Sequence, residues 1–233
     1  MADWLDLTQP FFVGMPQGAV ADRLTLTHRT GVALASTDLP LGCSVTLTEL
    51  SMAVHCGTHV DAPRHFIEGA PSITDYPVGR FVSGAVMVSV VAKALQVITV
   101  ADLESAGAQP RAGDMLFIRT GWGSLFNADN EAEYYGHHPY LSPEVADWVL
   151  EKGVRAIGTD TLNPEPPLAA RPPRYAWPIH CQLLANDVLI FENLNLEPLA
   201  GKRSCRLSVV AAPIAITESD GAPARVIAQL ADE

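Results

Sequence analysis

His55-Cys56-Gly57-Thr58-His59-Val60-Asp61-Ala62-Pro63-Arg64-His65 gathers three of the chain's seven histidines and an aspartate within eleven residues. Whether these side chains can converge depends on the backbone. On a helix His59 and Asp61 would point apart, because residues two positions apart do not share a helical face. Gly57, Thr58, Val60 and Pro63 also disfavour helix. In an extended strand His55, Gly57, His59 and Asp61 fall on one side. The segment therefore reads as a strand from His55 to Asp61, with Gly57 leaving room between two imidazoles. Pro63 ends that strand, and the following loop folds His65 back toward the same face.

Two neutral imidazoles and one carboxylate suit a divalent ion of borderline hardness, zinc or manganese. Three protein ligands leave a position for water, which distinguishes a catalytic site from a closed structural one. Bound zinc can bring the pKa of such a water to about 7. His55, His59 and Asp61 are thus candidate ligands. The chain has no Cys-x-x-Cys pair, which argues against a thiolate zinc site. Its four cysteines (Cys43, Cys56, Cys181, Cys205) are too scattered for a disulfide framework and read as small buried hydrophobes.

On either side of this segment, strand and helix signals are mixed. Leu24–His28 and Val45–Leu50 alternate apolar and polar residues at the period of half-buried strands. Val86–Ala92, Met115–Thr120, Val154–Thr159, Val188–Glu192 and Ser208–Ile216 are further strand candidates. Thr99 caps a short helix that Gly107 stops. Ser142-Pro143-Glu144 opens a clearer one, which carries Val145, Trp148 and Val149 and ends at Lys152-Gly153. Residues 163–178 hold six prolines among sixteen and read as a loop lying over something, followed by a short helical turn near His180. Ser219-Asp220-Gly221 reads as a turn. Strands outnumber helices, so the expected class is mixed, strand-rich α/β, with a central or barrel-like sheet flanked by a few helices. Without a linker or repeat, residues 1–233 read as a single domain.

Composition excludes several functions. A formal net charge of −11 disfavours nucleic acid as a partner and an anionic membrane surface as a docking site. No apolar run reaches the length of a membrane span. The acidic start, with Asp3 and Asp6, lacks the positive region of a secretory signal, making the cytoplasm the default location. A hydrophobic fraction of 48% with 18% charged residues is that of a compact protein.

The eleven-residue segment resembles the signature His-x-Gly-Thr-His-x-Asp-x-Pro-x-His of the cyclase family of metal hydrolases, which includes bacterial kynurenine formamidase and isatin hydrolase. Every fixed position is present. Weaker similarity covers nearly the whole chain, at Asp6-Leu7-Thr8-Gln9-Pro10 with Gly14-Met15-Pro16, at His138–Pro143, at Gly158-Thr159-Asp160-Thr161 and at Asp220–Arg225. The resemblance implies the family's swivelling β/β/α fold. It makes His55, His59 and Asp61 metal ligands, with Asp61 able to bridge two ions, and His65 the acid/base residue. In the formamidase branch a later histidine and a glutamate twelve residues on complete a two-metal site, and His180 and Glu192 have that spacing. Isatin hydrolases resemble a one-metal variant lacking the glutamate, so Glu192 favours two ions over one.

The implied reaction is hydrolysis of a C–N bond in a small formamide, lactam or related cyclic amide, by a homodimer or homotetramer. Formamidase-like sequences carry a tryptophan and a Pro-Gly-Asp stretch where this chain has Met15-Pro16-Gln17-Gly18, a departure that argues against N-formylkynurenine itself. A lactonase or lyase using the same site, or a metal-binding protein without turnover, are the alternatives. Of the other charged or titratable residues, His28 is expected to face solvent, His137 and His138 either to line the pocket or to pack, and Arg64 to form a surface salt bridge in preference to orienting a substrate carboxylate.

Overall fold

A computed structural model describes residues 3–18, 23–31 and 43–231. Its strands are β1 (Leu5–Asp6), β2 (Thr25–Thr30), β3 (Thr46–Ser51), β4 (His59–Asp61), β5 (Val82–Ser89), β6 (Val97–Ile98), β7 (Met115–Arg119), β8 (Tyr140–Leu141), β9 (Ala156–Thr159), β10 (Leu189–Glu192), β11 (Ser204–Pro213) and β12 (Gly221–Leu230). The α-helices are α1 (Val100–Ser105), α2 (Glu131–Gly136), α3 (Glu144–Glu151) and α4 (Pro178–Ala185). The main sheet runs β1-β12-β11-β5-β7-β9-β10-β4, and β4 also pairs with β12, which closes the strands from β12 round to β4 into a barrel. β5, β7, β9 and β10 are parallel neighbours, whereas β11, β12 and β4 join antiparallel. The expected strand-rich α/β class and barrel-like sheet are both present.

Alternation along the strands sorts the core into two layers, because successive side chains leave a strand on opposite faces. Met87, Phe117, Phe191, Val60 and Val226 fill the barrel interior. Their neighbours Val86, Val88, Leu116, Ile118 and Ile190 face outward and pack against Leu103, Val145, Val149, Ile179 and Leu183 of α1, α3 and α4. Strands covered on both faces read as continuous apolar runs, which is why β5 and β7 were legible. Thr99 caps α1 as expected, in a reciprocal box with Asp102. A cap of that kind contributes about 1 kcal/mol.

Several expectations are corrected. The β2–β3 hairpin is exposed on nearly all its side chains rather than half-buried, because it pairs only with itself in a two-stranded sheet. β12 is a ten-residue strand where only the preceding turn was anticipated. The strand expected from His55 to Asp61 begins only at His59, and His55 to Thr58 form a turn. Gly57 has φ +58°, so it makes that turn rather than spacing two imidazoles. The glycine that gives an imidazole room is Gly221 of β12, where a Cβ would lie 2.7 Å from both His55 Cε1 and the Val60 carbonyl oxygen. The helical turn near His180 is a full eight-residue helix. Among the cysteines Cys56 is buried, Cys181 and Cys205 are half-buried and Cys43 is exposed.

Candidate metal centre

The site lies on the outer face of the barrel seam. β4 runs antiparallel to β10 with Glu192 opposite His59 and Ile190 opposite Asp61. Val60 and Phe191 turn into the barrel, so His59, Asp61 and Glu192 point out together. Two elements cover them. A single 3-10 turn at Pro63–His65, begun by the proline, brings His65 over the strand end, and α4 supplies His180 from above. The expected return of His65 takes place: its ring stacks on His55 with centroids 3.8 Å apart.

The six residues singled out by sequence meet at one place. His55 Nδ1 donates to Asp61 Oδ1 at 2.7 Å, and its Nε2 donates to Asp220 Oδ2 at 2.8 Å. His59 Nδ1 donates to the Gly57 carbonyl at 2.8 Å, which leaves Nε2 to face Asp61 Oδ1 and Glu192 Oε2, each at 3.3 Å. Neither approach has hydrogen-bond geometry, so this buried nitrogen has no hydrogen-bond partner among the described residues. His180 Nε2 lies 3.2 Å from Glu192 Oε1 and 3.7 Å from Asp61 Oδ2. One donor atom each from His55, His59 and Asp61 falls within 4.8 Å of the others, and the same holds for Asp61, His180 and Glu192. Asp61 is common to both groups.

This donor set fits a divalent cation. A buried imidazole nitrogen aimed between two carboxylates, with its other nitrogen held by a backbone carbonyl, is the arrangement a metal-ligating histidine adopts.

Charge in the cluster follows from the same contacts. Burial works against the His55 cation, yet Asp220 and Asp61 outweigh it and raise the pKa to about 9. His180 is also raised to about 9: burial opposes the charge, and Glu165 and Glu192 overcome it. His59 is raised too, against its burial, by Asp61 and Glu192. Asp61 is correspondingly lowered despite its burial, by His55 and His59. An ion that takes a nitrogen from His55 or His180 must displace its proton. Binding of Zn2+ is therefore expected to release between about one and two protons per ion at pH 7.5, since His55, His59 and His180 all give up a proton to ligate, and apparent affinity to climb with pH. Calorimetric titrations in buffers of different ionisation enthalpy measure this, and a proton count of zero would contradict the assignment.

Sequence reading missed two acids here. Asp220 accepts from both His55 Nε2 and His65 Nδ1, the latter at 2.9 Å, and the histidines hold its pKa far below the usual carboxylate range. Asp220 belongs to the turn-forming Ser219-Asp220-Gly221, and nothing local ties it to a motif so far upstream. Glu165 accepts from His180 and is fully buried within the proline-rich loop. That loop does lie over something: with Phe66, Tyr135, Leu162 and Asn163, its Trp177 lines a cleft of about 460 Å3 that reaches His55, Asp61, His65, His180 and Glu192. A larger cavity of about 600 Å3, lined by Thr8, Phe11, Pro213 and Ile214 among others, touches none of the six residues.

The remaining histidines stand apart. His28 is exposed and bonded to Thr48, and His137 pairs with Glu133 on the surface. His138 is buried between the carbonyls of Tyr135 and Glu165, a packing role outside the cleft. Arg64 donates to the Ala70 carbonyl.

Comparison with known proteins places these features in a family. Residues 5–166 match the family model described as putative cyclase. The kynurenine formamidase of Bacillus cereus is 30% identical over 195 residues, spanning 79% of this chain and 80% of that protein. Isatin hydrolase A from Ralstonia solanacearum has the same fold, with a TM-score of 0.80 at 22% identity over 98% of this chain and 92% of that one. Isatin hydrolase A from Labrenzia aggregata superposes equally well, with a TM-score of 0.80 at 22% identity over 99% and 94% of the two chains. With the family model covering well over half of its length and the signature segment inside that match, the chain belongs to the cyclase family.

Proposed function

We propose that this protein is a metal-dependent hydrolase that cleaves the C–N bond of a small aromatic formamide, lactam or related cyclic amide. The observation that carries the reading is the buried Nε2 of His59, without a hydrogen-bond partner among the described residues, facing the Asp61 and Glu192 carboxylates, which themselves line a cleft together with His65. His55, His59, Asp61, His180 and Glu192 would hold the metal. Zinc or manganese suits these donors, and two ions are favoured over one because Asp61 belongs to both donor groups.

When bound, such an ion supplies Lewis acidity, making water a nucleophile near neutral pH and polarising an amide carbonyl. The chain's own residues do the rest. Asp220 accepts the Nδ1 proton of His65, which fixes the tautomer and leaves Nε2 as the exchangeable position. From there His65 takes the proton of the attacking water and returns it to the departing nitrogen, which is a poor leaving group unless protonated. Phe66, Tyr135, Leu162 and Trp177 present apolar and aromatic surface to a flat substrate, while Gln17 and Asn163 offer polar contacts. Gln17 stands where the sequence departs from the formamidase pattern, so the reading extends to formanilides and lactams beyond N-formylkynurenine.

The exposed β2–β3 hairpin supports a homodimer or homotetramer, because an isolated two-stranded sheet is marginal in water; light scattering of the full-length protein would read a monomer if this part is wrong. Among the described residues no helix is long and apolar enough to cross a membrane.

The test of the main reading is turnover of a panel of formanilides, isatins, lactams and lactones by Zn2+- and Mn2+-loaded protein in oxygen-18 water. The expected result is turnover of aromatic amides with one solvent oxygen in the acid product. Turnover without label would make the enzyme a lyase, and activity on lactones alone would overturn C–N cleavage.

A further inference from the structure

Glu165 is a fully buried carboxylate beside the metal centre that the reaction does not use. It sits between Pro164 and Pro166, and both its backbone polar groups are engaged: its N–H donates to Asn163 Oδ1 at 3.0 Å and its carbonyl accepts from His138 at 3.0 Å. The side chain is therefore delivered from an anchored backbone. One carboxylate oxygen, Oε1, accepts from the backbone N–H groups of Ile179 at 2.9 Å and His180 at 3.0 Å, and faces the Nδ1 of His180 at 3.2 Å. The other oxygen accepts the hydroxyl of Tyr175.

These contacts solve two problems at once. The chain enters α4 through Trp177 in a left-handed conformation, φ +51°, and no side chain of that residue caps the helix. Glu165 satisfies the orphan N–H groups from a distance instead. Because a carboxylate can only accept, Nδ1 of His180 must donate to it, and the ring's remaining nitrogen is turned toward Glu192 and Asp61. Phe66, stacked on His180 with centroids 4.7 Å apart, blocks the ring from swinging away.

We propose that Glu165 is a positioning residue for the metal centre: its carboxylate orients His180 through Nδ1, presents Nε2 to the Asp61–Glu192 pair, and ties the proline-rich loop to that ligand through Tyr175. The proposal rests on the reading of His180 as a metal ligand. A carboxylate behind a ligating imidazole fixes its tautomer and makes it a better donor, and loss of such a partner typically costs 10–100-fold in metal affinity.

The test titrates Zn2+ alone and Mn2+ alone into metal-free full-length protein by calorimetry, with thermal melting alongside. Glu165→Gln keeps the shape and an accepting oxygen but removes the charge. It is expected to melt close to wild type while binding roughly 10-fold more weakly. Glu165→Ala is expected to bind about 100-fold more weakly and to melt lower. Tyr175→Phe, which leaves the His180 contact intact, should keep wild-type affinity. Variants of Glu165 that only melt lower, with wild-type metal affinity, would make the residue structural and overturn the proposal. His180→Ala separates the two readings: if it loses affinity and the Glu165 variants do not, only the proposal falls. If His180→Ala itself binds like wild type, the ligand assignment fails and the proposal with it.

Discussion

Asp61→Asn is expected to abolish tight metal binding and to lower kcat/KM by about 10^3-fold or more. The magnitude follows from the role of the ion: Lewis-acid stabilisation is worth several kcal/mol, and about 4 kcal/mol corresponds to roughly 10^3-fold in rate. Asp61 is the residue through which the cluster is joined, lying 2.7 Å from His55, 3.3 Å from His59 and 3.7 Å from His180. Asparagine keeps the volume but removes the charge and replaces one accepting oxygen by a donor. Three imidazoles then surround a group unable to balance them, in a setting where Asp61 is only 1% exposed. Metal analysis after reconstitution, combined with steady-state kinetics, measures both effects. A variant that retains stoichiometric metal would remove Asp61 from the ligand set.

His65→Ala separates proton transfer from metal binding. Its side chain is partly exposed at the cleft mouth, with Nδ1 held by Asp220, and it stacks on His55 without belonging to either donor group that contains Asp61. Loss of general acid–base catalysis typically costs 10^2–10^4-fold, so kcat is expected to fall by about 10^3-fold while metal content stays at the wild-type level. The deficit should shrink for substrates with better leaving groups, since a less basic nitrogen needs less protonation. Full turnover in a metal-loaded His65→Ala protein would show that another group carries the proton. Loss of metal in this variant would instead make His65 a ligand, an outcome allowed by the third donor group of His55, His65 and Asp220.

Much of the fold was legible because its signals are local. β5, β7, β9 and β10 are apolar runs bounded by turn residues, and α1 and α3 carry their own start signals. The failures were also physical. The alternating β2 and β3 looked half-buried, but alternation reports which side chains share a face and not whether anything covers that face. β12 begins Gly221-Ala222-Pro223, a composition that reads as a turn until β4 pairs with it.

The same division runs through the site. By itself the sequence determined the candidate chemistry: the types and spacing of His55, His59, Asp61 and His65 are what the proposed nitrogen and oxygen ligands and proton carrier rest on. Those residues lie within eleven consecutive positions, a turn at His55, the strand His59–Asp61 and the 3-10 turn ending at His65, a stretch too short to carry its side chains far apart. Only the tertiary structure decided what completes and orients them. Asp220 and Gly221 arrive with β12 because the barrel closes through β4, and Glu165 reaches His180 because the proline-rich loop folds against the N-terminus of α4. Contacts between segments so far apart in the chain depend on sheet closure and packing, and leave no periodic trace in the residues that make them.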